Sequence, residues 1–300
     1  MIKENVVTFD SHQIKEVHLP DLGTDFIDWG LHTIMAPTAW ERTKGENIKV
    51  AVLDTGIDYN HPDLINNVKD HKDFTNSPSA SLDIQGHGTH VAGIIAGSDN
   101  GVGITGVAPD AEIYAGKVLG DNGSGSFGSI IKGIRWAISK KVDIINMSLG
   151  TAKQPPNDFY EAIKQAKAQG IVIVAATGNA NSSVCYPARY DEVIAVGAID
   201  NKYDKASFSN YGVKNEITAP GVDILSCYKN KGYAKLSGTS MATPIITGSI
   251  ALYLSIHKNF SKSVNIDVIH KAISQATVDL GNDGKDEYFG AGLINLAKLI

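Results

Sequence analysis

Short apolar runs rich in β-branched residues alternate along this chain with segments of helical spacing. Apolar residues recur every three or four positions over 127–138 and over 159–166, and Gly170 follows the second segment as a helix stop. Strands are predicted at 171–176 and 193–196. Continuous apolar strands that alternate with helices are typical of a parallel sheet covered on both faces. The sequence therefore predicts an α/β fold of three layers, with a mainly parallel central sheet and helices on both faces.

Length and charge limit the classes of protein that the chain can belong to. Its 300 residues suit one sizeable domain, although length alone would permit two, and no internal repeat or interdomain linker is evident. The net charge of −5 comes from mixed signs without a basic cluster, so nucleic acid is not an expected partner. No unbroken apolar run approaches the ~20 residues that cross a membrane, so no membrane association is expected.

Two features of the sequence bear on the compartment. The first 17 residues include acids and lack the apolar core of a secretory signal. The two cysteines, Cys185 and Cys227, provide no disulfide framework. We therefore expect a cytoplasmic protein, although a chain that had lost its leader would give the same pattern.

A serine hydroxyl lies where a helix is predicted to begin. Residues 238–244 read GTSMATP, and the apolar run 245–254 gives the following helix a face to bury. A helix N-terminus offers unpaired N–H groups and a partial positive charge, both of which suit an oxyanion. Pro244 is predicted to lie in the first turn, where no N–H partner is needed. Alone, Ser240 would more simply be an N-cap on a core helix.

A histidine and a carboxylate have similar settings upstream. His87 is bracketed by glycines at the start of a predicted helix, whereas His90 is expected to pack inside. The run 48–53 predicts a buried strand with Asp54 at its carboxyl end, the edge where open α/β sheets bind ligands. Each residue alone would fit a loop or a turn. Together they offer the nucleophile, base and orienting acid of acyl transfer, in the order Asp, His, Ser known from subtilisin.

Three blocks carry a family resemblance: VLDTGID at 52–58, GHGTHVAG at 86–93 and GTSMATP at 238–244. From about Trp29 to its C-terminus, the chain resembles the subtilisin family of serine proteases, and most closely the intracellular subtilisins. The resemblance implies a subtilisin-like fold and an endopeptidase in which Ser240 attacks the scissile carbonyl. His87 would move the proton, and Asp54 would orient His87. Asn179 would donate to the oxyanion with the Ser240 N–H, whereas alone it could be a turn asparagine.

The resemblance also implies where the substrate lies. Two segments would flank the substrate backbone: Gly123, Ser124 and Gly125, and Ser148, Leu149 and Gly150. Cys185 stands before Tyr186 where the family more often has a small residue, at the floor of the pocket for the residue that precedes the cut. A thiol there predicts a preference for medium-sized uncharged residues. Alternatively, Cys185 simply packs inward, as free cysteines commonly do.

The segment 98–104 resembles the family's high-affinity calcium loop and implies structural calcium, whereas the number of calcium sites stays open. Calcium takes six to eight oxygen ligands. By position, the ligands would be the carboxylates of Asp25 and Asp63, the Asn100 amide, and the carbonyls of Ser98, Val102 and Ile104. The acidic stretch 279–287 lacks the spacing of a calcium loop and is predicted to be a polar turn before the last helix.

Residues 1–24 form a short extension that precedes the expected peptidase domain at 25–300. The extension resembles that of intracellular subtilisins, in which a brief apolar strand lies across the active site, and 6–9 is the candidate strand. A frayed or docked terminus is the alternative. Expected partners are protein or peptide substrates and this extension, and a homodimer stays open. A narrow processing protease and a catalytically silent binding protein are the alternative functions.

Overall fold

The computed structural model describes residues 6–8, 12–17, 24–257 and 266–300. Phe9 of the expected inhibitory strand, and residues 1–5, 10–11 and 18–23 of the extension, lie outside the described residues. The strands are β1 (Val6–Thr8), β2 (His12–Val17), β3 (Lys49–Asp54), β4 (Val68–Asp73), β5 (Glu112–Lys117), β6 (Ser124–Ser126), β7 (Ile144–Met147), β8 (Val172–Ala176), β9 (Ile194–Ile199), β10 (Ile217–Pro220), β11 (Ile224–Tyr228), β12 (Gly232–Ser237), β13 (Thr277–Val278) and β14 (Leu293–Ile294). The helices are α1 (Trp29–Thr33), α2 (Ala36–Trp40), α3 (His87–Ala96), α4 (Phe127–Ser139), α5 (Asn157–Ala168), α6 (Thr239–His257), α7 (Ile266–Gln275) and α8 (Leu296–Leu299).

Nine strands form the central sheet in the order β13-β14-β10-β9-β8-β7-β3-β5-β4. Every pair is parallel except β13 with β14 at one edge. Every residue of β7 and β8 is buried, because both faces of the sheet are covered. The predicted α/β class and the mainly parallel sheet are therefore confirmed.

The two faces of the sheet pack into two separate hydrophobic cores. Within β3, Val50 and Val52 face the core that holds α3 and α6, whereas Ala51 and Leu53 face the core that holds α4 and α5. This alternation follows from the two-residue period of a strand. It also confirms the predicted helices on both faces, since α4 and α5 cover the predicted segments 127–138 and 159–166.

The long helix α6 is the central helix of one of these cores. By length and composition alone it could cross a membrane, and it is the one such helix among the described residues. However, 89% of its apolar window is buried inside the protein, as expected of a core helix. Thr and Ser residues interrupt the apolar residues of this segment, so it contains no unbroken apolar run of ~20 residues.

The extension adds strands to two edges of the domain. β1 pairs antiparallel with β6 in a small sheet, with Val7 opposite Gly125. β2 pairs antiparallel with β12 and extends the three-stranded sheet β11-β12-β2. The sequence predicted a strand near 6–9 but gave no indication of the second strand.

Candidate active site

Three neighbouring strands of the central sheet end in polar residues at the same edge. Asp54 is the last residue of β3, Ser148 directly follows β7, and Asn179 lies three residues beyond β8. Because β3, β7 and β8 are parallel and adjacent, their carboxyl ends lie side by side. The helices α3 and α6 pack together on one face and begin at His87 and Thr239. The sheet edge thus collects the residues that the sequence singled out.

Asp54 and His87 form a buried hydrogen-bonded pair. Their Oδ1 and Nδ1 atoms are 2.7 Å apart, and both side chains are fully shielded from solvent. A carboxylate only accepts hydrogen bonds, so Nδ1 donates, which leaves Nε2 as the ring nitrogen that can take up a proton. The Thr55 N–H donates to the same Oδ1 at 2.7 Å and helps to fix the carboxylate. Gly88 permits this approach, because a Cβ there would lie 2.2 Å from the Gly56 carbonyl oxygen.

Asp83 joins the end of β3 to the start of α3. Its Oδ1 accepts from the Thr55 hydroxyl at 2.9 Å and from the Gly86 N–H at 2.8 Å. Its Oδ2 accepts from the N–H and the hydroxyl of Thr89 at 2.9 and 2.7 Å. Asp83 is not among the residues that the sequence motifs pointed to. An acid shortly before a glycine-bracketed helix start is the signal that could have found it, since such acids cap helix N-termini.

Lys117 places a buried cation at the same edge. It ends β5 opposite Asp54, and its side chain is fully buried. Its Nζ donates to the Thr55 carbonyl at 2.5 Å and pairs with Asp121 at 3.0 Å. The ammonium therefore offsets part of the negative charge that the buried carboxylates bring together.

Ser240 and Ser148 contact each other through reciprocal hydrogen bonds. The Ser240 hydroxyl donates to the Ser148 carbonyl at 3.1 Å, and the Ser148 hydroxyl donates to the Ser240 carbonyl at 2.9 Å. The prediction that Pro244 lies in the first turn is wrong, because α6 begins at Thr239 and Pro244 falls within the helix. Pro244 has no N–H, so the Ser240 carbonyl four residues earlier lacks its usual helical donor. The Ser148 hydroxyl supplies that hydrogen bond instead.

The orientation of the Asn179 amide is fixed by Thr239. Asn179 Oδ1 accepts from the Thr239 N–H at 2.8 Å and from its hydroxyl at 2.9 Å. Since both partners donate, the oxygen must face Thr239, and the Nδ2 end is turned the other way. The side chain is 7% exposed. Asn179 thus presents an N–H donor at a rigid position beside the start of α6.

The predicted substrate segments lie at this edge as well. Ser124 and Gly125 belong to β6 and follow a turn at Gly123. β1 pairs with one edge of β6. Ser148, Leu149 and Gly150 continue from the end of β7. Their role in binding the substrate stays a prediction.

Cys185 lies between the ends of β7 and β8. A Cβ at Gly178 would be 3.0 Å from its Sγ, and a Cβ at Gly150 would be 3.3 Å from its Cβ. The Cys185 side chain is half-buried, and Asn210 Nδ2 donates to the thiol at 3.4 Å. The cysteine therefore lies beside Gly178, the residue before Asn179, and beside Gly150.

His90 behaves as the sequence predicted. It is fully buried, and its Nε2 lies 3.0 Å from the carbonyl oxygens of both Ile224 and Ala234. Burial lowers the pKa of His90 to about 3, so it stays neutral. Its role is to join α3 to β11 and β12.

The residues named for calcium gather around the segment 98–104. Asp63 is fully buried, and its Oδ2 accepts from the Ile104 N–H at 2.9 Å. Asp25 Oδ2 accepts from the Gly101 N–H at 2.8 Å, while its buried Oδ1 has no hydrogen-bond partner among the described residues. Burial, with the neighbouring Asp99 carboxylate, raises the pKa of Asp25. Such crowded carboxylates fit a cation.

Asn100 has an orientation that does not yet suit a calcium ligand. Its Oδ1 accepts from the Val102 N–H at 3.0 Å, and its Nδ2 faces Asp63 Oδ1 at 3.4 Å. A cation between Asn100 and Asp63 would require the amide to turn so that its oxygen faces the ion. The carbonyls of Ser98, Val102 and Ile104 lie on the same loop, so the donor set otherwise fits.

Comparison with known proteins identifies the family of the chain. A model of the subtilase family, Peptidase_S8, matches residues 45–292. The chain belongs to the subtilase family. It is 45% identical over 258 residues to Subtilisin DY of Bacillus licheniformis, which covers 84% of this chain and 90% of that protein. It is 42% identical over 278 residues to the Intracellular serine protease of Paenibacillus polymyxa, with 89% and 84% covered.

A third relative differs in its stated location. The Minor extracellular protease Epr of Bacillus subtilis strain 168 is 41% identical over 298 residues, which is 97% of this chain and 45% of that protein. Subtilases of this kind are serine endopeptidases, and this subtilase is accordingly a hydrolase that cleaves peptide bonds. Relatives named as intracellular and as extracellular both match, so similarity does not decide its compartment.

Proposed function

We propose that Ser240, His87 and Asp54 are the catalytic triad of this endopeptidase. The observation that carries the proposal is the fully buried 2.7 Å hydrogen bond between Asp54 and His87. It lies at the sheet edge where α6 presents Ser240. An imidazole held by a carboxylate through Nδ1 is the arrangement that activates a serine hydroxyl.

The reaction follows from the atoms that these residues present. The Ser240 hydroxyl gives up its bond to the Ser148 carbonyl and donates to His87 Nε2, which takes the proton as Ser240 Oγ attacks the scissile carbonyl carbon. The protonated imidazole then passes that proton to the leaving amine as the C–N bond breaks. Water, activated by the same nitrogen, hydrolyses the acyl ester on Ser240. Asp54 stays ionised and holds the ring.

The tetrahedral intermediate needs donors aimed at its oxygen. We assign that role to Asn179 Nδ2 and to the Ser240 N–H in the first turn of α6. The fixed orientation of the Asn179 amide by Thr239 supports this assignment, because a preorganised donor needs no rearrangement during the reaction.

An extended substrate would add a strand to the edge of β6 that β1 now occupies. Backbone pairing of this kind supplies affinity, and pockets between the paired residues supply selectivity. The β1 strand already covers that edge, which supports an inhibitory role for the extension.

Cys185 would narrow the pocket for the residue before the cut. A peptide library cleaved by the wild type and by Cys185→Gly tests this point, since identical profiles would remove Cys185 from the pocket.

Calcium would be held by Asp25, Asp63 and Asn100 with the carbonyls of the loop. When bound, the ion supplies charge neutralisation and cross-links the loop to the segment at Asp25, so its contribution is to stability rather than to bond cleavage.

We further propose that the protein acts inside the cell, in line with its intracellular relative. Cell fractionation with an antibody to the chain tests this, and recovery from the culture medium would contradict it.

The triad and the oxyanion donor are tested by hydrolysis of a mixed peptide library. We expect Ser240→Ala to lose about 10⁶-fold in kcat, and Asn179→Ala to lose about 10²–10³-fold, both values having been measured in a subtilisin. Ser249→Ala, a buried serine of the same helix, is the matched control and should keep near wild-type turnover. Full activity in folded Ser240→Ala would refute the proposal.

A further inference from the structure

Three buried side chains with metal-binding atoms lie close together beside β11. His61 and Asp63 lie in the turn after β3, and Cys227 lies in β11. One ligand atom from each side chain lies within 4.8 Å of the other two, and all three side chains are fully buried. The proposed reaction uses none of these atoms, and only Asp63 has another proposed role, as a ligand of the calcium loop.

His61 is already oriented as a metal ligand would be. Its Nε2 lies 2.9 Å from the Gly232 carbonyl, and a carbonyl only accepts, so Nε2 carries the proton. Nδ1 therefore presents a lone pair. That lone pair accepts a long hydrogen bond of 3.2 Å from the Asp63 N–H. Metal-binding histidines usually donate through their second nitrogen in this way, which fixes both tautomer and ring.

Cys227 belongs to the buried apolar core, and its thiol also lies near polar groups. Its Sγ lies 3.9 Å from Asp63 Oδ2, at the limit of a thiol hydrogen bond. Buried cysteines more commonly pack as small apolar residues. Here the thiol shares its surroundings with a carboxylate and an imidazole, and the Tyr233 hydroxyl donates to the same Asp63 Oδ2 at 3.0 Å. Tyr233 thus holds the carboxylate as a supporting partner would.

We propose that His61 Nδ1, Asp63 Oδ2 and Cys227 Sγ form a binding site for a borderline-soft divalent metal such as Zn²⁺. Nitrogen, sulfur and oxygen ligands are the set that zinc takes. Tetrahedral zinc with bonds of 2.0–2.3 Å separates its ligand atoms by about 3.3–3.8 Å. The separation of 3.9 Å between Sγ and Oδ2 is close to that, and ligand atoms within 4.8 Å of one another need to approach by about 1.5 Å or less. The thiol proton leaves to solvent as the metal binds.

Asp63 links this site to the proposed calcium loop. Its Oδ1 faces Asn100 at 3.4 Å, whereas its Oδ2 accepts from the Tyr233 hydroxyl and from the Ile104 N–H of the loop and lies 3.9 Å from the Cys227 Sγ. The two sites therefore share this carboxylate. The calcium loop offers only oxygen, so a signal from a metal–sulfur bond reports the second site alone.

Cobalt(II) is the probe, because a cobalt–thiolate bond gives a charge-transfer absorption that oxygen ligands do not. The full chain carrying Ser240→Ala, which prevents self-digestion, is titrated with Co²⁺ at fixed Ca²⁺, and the bound cobalt is then displaced with Zn²⁺. We expect one saturable charge-transfer band per chain, which Zn²⁺ abolishes. Cys227→Ser should lose the band. His61→Gln should weaken Co²⁺ binding by at least about tenfold, because the loss of even a side chain that only supports a ligand weakens metal binding by about tenfold or more.

Cys185→Ser is the matched control, since it removes the other thiol of the chain and should keep the band. Far-ultraviolet circular dichroism checks that each variant is folded. Absence of a band in the folded parent chain would overturn the proposal without touching the triad. A band that persists in Cys227→Ser, or disappears in Cys185→Ser, would equally overturn it.

Discussion

Ser148 and Ser240 are joined by two hydrogen bonds that run in opposite directions, each from a hydroxyl to the other residue's carbonyl. One of them replaces the helical bond that Pro244 removes from the Ser240 carbonyl. The segment that would hold the substrate backbone and the proposed nucleophile are therefore positioned by the same contact. Asn146 Nδ2 donates to the Ser148 hydroxyl at 3.1 Å and fixes its direction.

We expect Ser148→Ala to destabilise the protein by about 1–3 kcal/mol, since a buried carbonyl at Ser240 would lose its hydrogen bond. Urea unfolding in the Ser240→Ala background measures the change. Ser249→Ala is the matched control. The Ser249 hydroxyl donates to the Ile245 carbonyl, which in the helix also accepts from the Ser249 N–H and so keeps a hydrogen bond in the variant. In Pro244→Ala, which restores an N–H, the cost of Ser148→Ala should shrink. An equal cost in both backgrounds would contradict this account.

Asp83 is a positioning residue whose removal should reach the proposed triad. In Asp83→Asn, an amide nitrogen must face N–H or hydroxyl donors, so we expect a loss of about 2 kcal/mol in unfolding free energy. Displacement of His87 against Asp54 should lower kcat/KM by about 10- to 100-fold, mainly through kcat.

The matched control for this change is Asp200→Asn, which alters a similar cap in a surface turn, where Asp200 accepts from the N–H groups of Lys202 and Asp204. That variant should keep its turnover. A folded Asp83→Asn enzyme with unchanged kcat would show that Asp83 supports the fold without positioning the reactive groups.

Features that the sequence predicted are those set by local patterns. The apolar run before Asp54, and the glycines around His87, each specify an element end without reference to the rest of the chain. Because strand ends in a parallel sheet share one edge, these local signals were enough to bring the candidate residues together.

Features that the sequence could not predict depend on partners far along the chain. The position of Pro244 inside α6 is tolerated because Ser148, 92 residues before Ser240, supplies a hydroxyl. β2 reads HQIKEV, which has little strand pattern of its own, and it forms where β12 offers an open edge. The meeting of His61 with Cys227 likewise follows from the fold and has no signal in residue spacing.

Asp28 should make stability depend on pH. It accepts from the Gly30 N–H at 2.8 Å and the Leu225 N–H at 3.0 Å, and burial raises its pKa from 3.8 to about 6. A raised pKa means that the native state prefers the protonated carboxyl. Its contribution to stability is therefore full below pH 4 and is lost as pH rises through 6.

The rise of the Asp28 pKa from 3.8 to about 6 corresponds to about 3 kcal/mol of unfolding free energy. We therefore expect the unfolding free energy of the wild type, relative to that of Asp28→Asn, to fall by about this amount between pH 4 and pH 7. Urea unfolding of both forms in the Ser240→Ala background measures the difference. A difference that stays constant or increases with pH would refute the assignment to Asp28.

Val7 is the residue through which the extension should restrain the enzyme. It lies opposite Gly125 at the edge of β6, is 1% exposed, and belongs to the core cluster that also contains Leu149 and Phe127. A carboxylate cannot be buried there without a large cost, so Val7→Asp should release β1 and free the edge for substrate. Each ~1.4 kcal/mol removed from the closed state raises the open population about tenfold.

We therefore expect kcat/KM on a peptide substrate to rise by about tenfold in Val7→Asp, with little change in kcat, since β1 and the substrate compete for one edge. Deletion of residues 1–20 should give a similar rise. Val213→Asp makes the same change of charge at a valine that is 73% exposed, and it should leave kcat/KM unaltered. If folded Val7→Asp and the deletion both match the wild type, β1 is a structural strand, and access to the edge of β6 is not what limits cleavage.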